Sequence, residues 1–319
     1  MPAFFEAAWC WNYQEKVRKV NLSLSTILDS SFQEHYTHQN LRGAILAALT
    51  GAGKDIHHLK LDDLAPVDEF HIRGRDATLE LARQLSLDDT KHVLDVGSGL
   101  GGASRYLASE YGCRVTGRDL TDEYCRVAQF LADRHGLRSR VSYRQGNALD
   151  IPFEDNSFDV VWTQHASMNI ADKAKLYSEI ARVLRPGGCF AMYDVLAGPV
   201  SPVYYPVPWA REPSISFLAT PDQLRKLLGE AGLQILSWRD TSEIGRAWFK
   251  DVAAKMQQQG GSPALGFHVL LGPDFRVMAR NQVRNLNENR IILIECVARN
   301  RTRSRPKRPS RSSKSTSNP

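Results

Sequence analysis

The sequence is poor in cysteine and lacks the spacings at which cysteines act in pairs. Its five cysteines are Cys10, Cys113, Cys125, Cys189 and Cys296. An odd number with no CxxC pair is not typical of a disulfide framework or of a structural zinc site. We therefore expect no metal site and a reducing compartment, the cytoplasm.

Long apolar runs are also absent. No stretch approaches the roughly 18 apolar residues that a membrane-spanning helix requires. The first residues, MPAFFEAAWCWNYQEKVRK, lack the basic start, apolar stretch and small-residue cleavage site of a secretory signal. The sequence predicts neither a membrane span nor export.

Excess basic charge is confined to one end of the chain, although the formal net charge is +6. Eight of the 41 lysines and arginines lie in residues 299–319, which leaves 33 basic against 35 acidic residues in 1–298. A domain with nearly equal numbers of basic and acidic residues is poorly suited to bind a polyphosphate backbone, so we expect no nucleic-acid partner for residues 1–298.

Residues 299–319 are predicted to be a disordered basic tail, since Arg, Ser and Pro bury little apolar surface. Residues 1–34 fit no later pattern and are predicted to be an extension.

Between Lys91 and Gly188, apolar runs alternate with segments of helical periodicity, which is the pattern of βαβ units and a parallel sheet. The predicted strands cover residues 92–97, 113–119, 141–145, 158–164 and 189–195. The predicted crossover helices cover residues 103–111, 122–135 and 173–184. We expect residues 91–197 to form an α/β core.

A helical lid is predicted before this core, over residues 35–90. Two amphipathic helices, at 40–49 and 75–85, are joined in this prediction by a loop that contains PVDEFHIRGR from Pro66. The lid is expected to cover one edge of the core.

A cap and two further strands are predicted after the core, over residues 198–298. Residues 198–216 are too rich in proline for a helix and too apolar for a free linker, so they should form a packed cap. Thr220 begins a capping box for a helix that reaches Ala231. The last two strands, at 233–240 and 291–298, complete a seven-stranded, mostly parallel sheet with helices on both faces.

A glycine-rich segment, DVGSGLGG at 95–102, lies between the first predicted strand and the first core helix. Glycines let the backbone approach a ligand closely, and the helix N-terminus offers free N–H groups. A nucleotide-like ligand is expected here. Gly97, Gly99 and Gly102 also satisfy GxGxxG, so this motif alone leaves an NAD-dependent oxidoreductase open.

The order of motifs around this loop resembles class I S-adenosylmethionine-dependent methyltransferases, which have a Rossmann-like fold. Asp95 precedes the glycines, Asp119 ends the second strand, GNALDIPF follows the third, and LRPGG at 184–188 precedes the fifth. The resemblance implies S-adenosylmethionine as the cofactor. The donor-binding residues that it implies are Asp95, Gly97, Ser98, Gly99, Gly101, Asp119, Leu120, Asn147, Ala148 and Gln164.

The roles that the resemblance implies follow the chemistry of the donor. Asp95 would hold the amino group of the methionine end, Asp119 the ribose hydroxyls, and Asn147 with Ala148 the adenine. Two positions depart from the family pattern: an Asp usually stands in place of Asn147, and an apolar residue in place of Arg118.

Methyl transfer from a sulfonium needs no nucleophilic side chain, because most of the catalysis comes from placing donor and acceptor and excluding water. The acceptor should lie beyond the strand ends, which makes WTQHASMN at 162–169 the predicted floor. His165 lies in this segment and is the candidate catalytic residue. Three interpretations stay open for it: a proton acceptor, a group that orients the acceptor, or a hydrogen-bonded histidine with no part in the reaction.

The acceptor itself is indicated by weaker signals. Over residues 35–298 the layout, with YTHQN and DEFHIRGRDATLELA, is similar to sarcosine and dimethylglycine N-methyltransferases, and more loosely to phosphoethanolamine, tocopherol and quinone methyltransferases. This similarity and the supply of aromatic residues favour methylation of a small amine. The candidate acceptor-binding residues are Tyr36, His71, Arg73, Met168, Tyr204 and Trp209.

Several alternatives stay open at this point. C- or O-methylation of a quinone or phenol competes with amine methylation. A non-catalytic protein that binds S-adenosylmethionine would share the same loop. The chain is expected to act on a small molecule, as a monomer or homodimer.

Overall fold

The computed structural model describes residues 40–258 and 265–301. Tyr36, the predicted extension 1–34 and residues 302–319 of the predicted tail lie outside the described residues. The described strands are β1 (His92–Val96), β2 (Arg114–Asp119), β3 (Val141–Gln145), β4 (Phe158–Gln164), β5 (Leu184–Ala197), β6 (Leu233–Asp240) and β7 (Ile291–Asn300). The described α-helices are α1 (Leu41–Gly51), α2 (Leu61–Asp68), α3 (Arg75–Ala82), α4 (Gly102–Glu110), α5 (Asp122–Arg134), α6 (Lys173–Val183), α7 (Pro221–Glu230), α8 (Ser242–Gln258), α9 (His268–Leu271) and α10 (Phe275–Asn287).

The strands form one sheet in the order β3-β2-β1-β4-β5-β7-β6. Strands β1 to β5 pair in parallel, and β7 lies antiparallel between β5 and β6. The predicted fold, a Rossmann-like, seven-stranded and mostly parallel sheet, is confirmed. Because the strand order reverses between β1 and β4, a crevice is expected at the carboxyl ends of these two strands.

Alternating side chains of the central strands enter the cores on the two faces of the sheet. Val93 and Trp162 belong to the cluster that contains residues of α4 and α5. Leu94 and Val161 belong to the cluster that contains residues of α6 and α7. A strand that is buried on both faces needs an unbroken apolar run, which is why these strands were readable in the sequence.

The predicted capping box at the start of α7 is present. The Thr220 hydroxyl oxygen accepts a hydrogen bond from the Gln223 backbone N–H at 3.3 Å, and the Gln223 side-chain oxygen accepts one from the Thr220 N–H at 2.9 Å. Two N–H groups that a helix start leaves unpaired are thereby satisfied.

The predicted loop of the lid is wrong in its first part, because α2 runs through Pro66. The prediction was wrong because a proline cannot donate its backbone hydrogen bond, and Pro66 therefore favoured a loop in the sequence. The start of α2 is stabilised instead by Asp63, whose carboxylate accepts the Lys60 backbone N–H at 2.9 Å.

The segment between β6 and β7 contains α8, α9 and α10, for which the sequence analysis predicted no element. A helical signal is present in retrospect, since Trp248, Val252 and Met256 recur every four residues along α8. Strand β5 also begins earlier than predicted, since Leu184 already pairs with Phe158 and a bulge follows.

The predicted cap over residues 198–216 contains no α-helix, as expected. It holds an isolated bridge between Val207 and Ala210 and a single 3₁₀ turn at Pro213–Ile215. The Asn169 amide donates to the backbone oxygens of Trp209 and Ile215 at 2.7 and 2.9 Å, and so joins the floor after β4 to the cap.

Candidate active site

Two cavities that share four lining residues lie above the carboxyl ends of the parallel strands. The first, the glycine-loop cavity, has a volume of about 490 Å³ and is lined by the loop after β1 and the ends of β2 and β4. The second, the outer cavity, has a volume of about 1050 Å³ and is lined largely by residues of α8 and α10 and the segment around α9. The residues that line both are Glu69, Phe70, His71 and His165, which we call the junction.

The glycine loop leaves the sheet with left-handed backbone at Gly97 and Gly99, whose φ angles are 76° and 53°. A Cβ on Gly97 would lie 2.5 Å from the Cβ of Ala166. The Gly99 N–H donates to Asp119 at 2.9 Å. Gly97, Ser98 and Gly99 line the cavity as predicted, and glycine at 97 is required both by φ and by the close approach of the floor.

Gly101 does not line the cavity, contrary to its predicted place among the donor-binding residues. It begins helix α4 with a φ of 80°, and a Cβ there would lie 2.1 Å from the Tyr143 hydroxyl oxygen. The Tyr143 hydroxyl donates to the Gly101 carbonyl at 3.1 Å. This glycine is therefore needed for the packing of α4 against β3.

Replacing Gly101 with alanine should lower the free energy of unfolding by about 2–4 kcal/mol, since overpacking adds to the cost of a left-handed alanine. The matched control is Gly136→Ala, because Gly136 has a φ of 69° and nothing within 4 Å of a built Cβ. Urea unfolding of both variants separates the cost of overpacking from the cost of a left-handed alanine. Equal losses would show that Tyr143 does not restrict the position.

Asp95 and Asp119 lie at the ends of β1 and β2 and both line the glycine-loop cavity. Asp95 accepts the Ser104 hydroxyl at 2.6 Å, and burial raises the pKa of its carboxyl to about 7. Asp119 accepts the backbone N–H groups of Thr121 and Gly99, both at 2.9 Å. Burial raises the pKa of Asp119 as well, while these N–H groups act in the opposite direction.

Leu120, Asn147 and Ala148 also line this cavity. The side-chain oxygen of Asn147 accepts the Leu149 N–H at 2.8 Å, so the asparagine shapes its own turn.

The unusual Arg118 has a local structural explanation. A Cβ on Gly146 would lie 1.2 Å from its guanidinium, which also lies 6.0 Å from the Phe153 ring centroid. The Arg118 guanidinium therefore occupies the space, beside the GNA segment, that a side chain at position 146 would need.

The orientation of Gln164 is fixed by its neighbours. Its side-chain oxygen accepts the Trp162 indole N–H at 3.0 Å, and the indole can only donate. The Gln164 amide nitrogen is buried without a hydrogen-bond partner among the described residues. Because Gln164 lines the glycine-loop cavity, this leaves a buried donor at the cavity wall.

A polar network within the lid connects Glu69, His71, Arg75 and Thr78. Arg75 lies 2.5 Å from Glu69, and the Thr78 hydroxyl donates to Glu69 at 2.7 Å. The His71 Nε2 atom lies 3.1 Å from the Thr78 oxygen. The single proton of Thr78 has two acceptors within reach, Glu69 and the Gln164 side-chain oxygen at 3.1 Å. With either acceptor the Thr78 oxygen accepts from Nε2, so Nε2 carries a hydrogen and Nδ1 is an acceptor. Nδ1 has no hydrogen-bond partner among the described residues.

Sequence reasoning found His71 in this network but missed Glu69 and Thr78 as functional candidates. Their role depends on the approach of α3 to the strand end, which no local sequence signal reports.

His165 has a left-handed backbone, with φ of 47°, and its N–H donates to the Tyr193 carbonyl at 2.8 Å. Its ring centroid lies 5.9 Å from that of His71. Burial lowers the pKa of His165 well below its usual value, with His71 adding to this effect, and burial lowers the pKa of His71 to about 3. Both imidazoles are therefore neutral at pH 7 and each offers one acceptor nitrogen.

Two of the predicted acceptor-binding residues are not at the site. Arg73 is buried and paired with Glu80, outside both cavity linings. The ring of Tyr204 lies between the guanidinium groups of Arg284 and Arg290, at 3.8 and 4.2 Å, also outside both linings. Both side chains are engaged by other residues of this chain and face neither cavity, so the prediction that they bind the acceptor is not supported.

Met168 and Trp209 do line the outer cavity, as does His71 at the junction. The sequence analysis missed most of the remaining wall, because the elements that supply it were not predicted. Its principal side chains come from residues 248–283 and include Trp248, Phe249, Val252, Phe267, Phe275, Arg276 and Arg280.

Within residues 40–258 and 265–301, none of the helices combines the length and apolar content needed to cross a membrane. The same residues contain no group of three or more His, Cys, Asp or Glu side chains placed to hold a metal ion.

A family model described as a methyltransferase domain matches residues 94–192. A glycine/sarcosine/dimethylglycine N-methyltransferase from Actinopolyspora halophila is 28% identical over 237 residues, which cover 73% of this chain and 40% of that protein. A sarcosine/dimethylglycine N-methyltransferase from Halorhodospira halochloris is 30% identical over 194 residues, which cover 60% of this chain and 69% of that protein. The chain thus spans less than half the length of the first of these relatives.

Among solved structures, the fold is similar to a putative sarcosine dimethylglycine methyltransferase from Galdieria sulphuraria. The TM-score is 0.56 at 22% identity, over 70% of this chain and 84% of that chain. The resemblance that the sequence motifs indicated is confirmed by these relatives.

Proposed function

The chain belongs to the S-adenosylmethionine-dependent methyltransferases, and from this premise we propose that it methylates a small molecule held in the outer cavity. The observation that carries the proposal is that His71 and His165 line both cavities. A donor in one cavity and an acceptor in the other would approach each other there. In-line displacement gains most from such placement and from the exclusion of water.

The chemistry of the glycine-loop cavity fits this donor. Asp95 is an acceptor for the ammonium of the methionine end, and the buried Gln164 amide nitrogen is a donor for its carboxylate. We assign the ribose to Asp119 and the adenine to Leu120, Asn147 and Ala148. When bound, the donor supplies an electrophilic methyl group on a sulfonium.

S-adenosylmethionine should bind more tightly as the pH rises from about 5 to about 7. Burial raises the pKa of Asp95 to about 7, so the free protein holds a protonated carboxyl at the acid end of this range. The ammonium of the donor favours the ionised form, so binding releases a proton, and the affinity gains up to about tenfold per pH unit.

Isothermal titration calorimetry in two buffers of different ionisation enthalpy measures that proton directly. Asp95→Asn should bind the donor more weakly and without the pH slope. A wild-type affinity independent of pH, or an unchanged slope in the variant, would exclude this role for Asp95.

The proposed chemical step takes place at the junction. The acceptor atom forms a bond to the methyl carbon while the carbon–sulfur bond breaks, and the electron pair of that bond stays on sulfur. The proton of the acceptor passes to His165 or to solvent. His165 is neutral at pH 7, so it can accept a hydrogen bond from the acceptor and orient its lone pair.

An amine nitrogen is the first candidate for the acceptor atom. The two N-methyltransferase relatives support it, as do the aromatic side chains of the outer cavity, which suit an alkylated nitrogen. Glu69 is the only acid in that lining and is already paired with Arg75. The amine would therefore bind uncharged, which is the form that can attack.

A hydroxyl or an acidic carbon is the second candidate. The paired neutral imidazoles of His71 and His165 favour it, since such acceptors must lose a proton during transfer.

Release of S-adenosylhomocysteine in a screen of amines, phenols and quinones tests the proposed function. We expect turnover with at least one acceptor class and calorimetric binding of S-adenosylmethionine but not of NAD. Donor binding without any release would favour a non-catalytic binding protein.

The remaining proposals concern the setting of the enzyme. The described cysteines are free thiols, which supports a reducing, cytoplasmic compartment. The charge balance of residues 1–298 supports an enzyme without a nucleic-acid partner.

A further inference from the structure

The outer cavity is large and apolar for a site that would take a small zwitterion. Its volume of about 1050 Å³ is at the upper end of the range for pockets that hold drug-sized ligands. Trp209, Trp248, Phe249, Phe267 and Phe275 supply aromatic wall. A molecule of six or seven heavy atoms would leave most of these aromatic side chains exposed to water. A larger apolar ligand would cover them, and the burial of this apolar surface favours its binding.

The charged side chains that line the outer cavity are two arginines and one acid. Arg276 and Arg280 line it from α10, where a spacing of four residues places them on one helix face. Both are exposed, and neither has an acidic partner among the described residues. The one acid of the lining, Glu69, is buried at the junction with Arg75. The charge pattern therefore favours an anion.

The ends of the cavity differ in what they can bind. Near the floor, the acceptor nitrogens of His71 and His165 are uncharged and buried, and they suit a neutral N–H or O–H group. On α10, the two arginines suit a carboxylate or a phosphate. A ligand that fills the cavity would therefore place its nucleophilic atom at the buried junction and its anionic group at the exposed arginines.

We propose that the methyl acceptor is an amphipathic anion, with an apolar ring or chain body between the nucleophilic atom at the junction and a carboxylate or phosphate at Arg276 and Arg280. This inference rests on the proposed function, but it holds for a nitrogen, oxygen or carbon acceptor. It excludes sarcosine and dimethylglycine themselves as the preferred substrates.

The first test uses 8-anilino-1-naphthalenesulfonate, which has an apolar ring body and one anionic group, and N-phenyl-1-naphthylamine, which has the same rings without the charge. Fluorescence titration of the full chain should give tighter binding of the sulfonate. Arg276→Gln with Arg280→Gln should weaken the sulfonate about five- to tenfold and leave the uncharged probe unchanged. Trp248→Ala should weaken both probes.

The matched control is Arg284→Gln, because Arg284 lies one turn further along the same helix, pairs with Glu288 and does not line the cavity. It should change neither probe. Equal affinity of the two probes, or an equal effect of the control and the double variant, would overturn the inference.

A second arm separates this inference from the proposed function. S-adenosylmethionine should bind the double variant as it binds the wild type, by calorimetry. Turnover with hydroxynaphthoates or aminonaphthoates in preference to sarcosine would support the inference. Preferred turnover of sarcosine would overturn the inference and leave the proposed function standing, whereas absence of donor binding in the wild type would overturn the proposed function.

Discussion

Replacing His165 with asparagine is expected to lower kcat about 100-fold or more while leaving the affinity for S-adenosylmethionine within about twofold. Loss of a positioned proton acceptor typically costs 10²–10⁴ in rate. The donor-binding groups that we propose, such as Asp95 and Asp119, do not depend on the imidazole. Asparagine is the suitable substitution because it tolerates the φ of 47° better than most residues.

The control for His165 is His58→Asn, since the His58 side chain is 84% exposed and belongs to neither cavity lining. It should leave kcat unchanged. The measurement is steady-state release of S-adenosylhomocysteine, paired with calorimetry for the donor. Full turnover by His165→Asn would show that solvent takes the proton and that the imidazole does not orient the acceptor.

Replacing Asp119 with alanine is expected to weaken S-adenosylmethionine about 100-fold or more. The carboxylate accepts the N–H groups of Gly99 and Thr121 and, in our proposal, the ribose hydroxyls. Hydrogen bonds to a charged group contribute about 1.5–3 kcal/mol each, and the loop that presents the donor loses its anchor with them. The effect therefore combines lost ligand contacts with a less ordered loop.

Asp122→Ala is the matched control for Asp119. The Asp122 side chain lies three residues further along, is 54% exposed and pairs only with Arg126 at 3.0 Å. It should leave the donor affinity within about twofold. Circular dichroism on both variants verifies the fold, and an Asp119→Ala protein that is folded and binds the donor normally would contradict the assignment of the ribose.

The core of this fold could be predicted from sequence because its signals are local. The parallel strands are buried on both faces, so they contain apolar runs such as VVW at 160–162. The Thr220 capping box fixes a helix start within four residues. The glycine loop was found for the same reason, since φ and close approach at Gly97 admit little else.

The parts that could not be predicted depend on tertiary packing. Gly101 has the same local signature as Gly97, yet it packs against Tyr143, which lies 42 residues away in sequence. Arg73 and Tyr204 carry suitable chemistry for an acceptor but are engaged by Glu80, Arg284 and Arg290. The spacing of residues in the sequence does not indicate which distant residue a side chain will contact.

The lining of the outer cavity also depends on tertiary packing and could not be predicted from the sequence. The four-residue recurrence along α8 is a readable signal of a helix, but it does not indicate that Trp248, which packs against the core, also lines a cavity. Residues of helices α8 and α10 line the same cavity as His71 and His165, and this tertiary arrangement has no local sequence signal.

The most direct test of the account is a crystal structure with bound S-adenosylhomocysteine. We predict the adenosine between Asp119 and Asn147, the amino group beside Asp95, and the sulfur at the junction, open to the outer cavity. A ligand bound outside the glycine-loop cavity, or one whose sulfur is closed off from His165 and the outer cavity, would contradict the account.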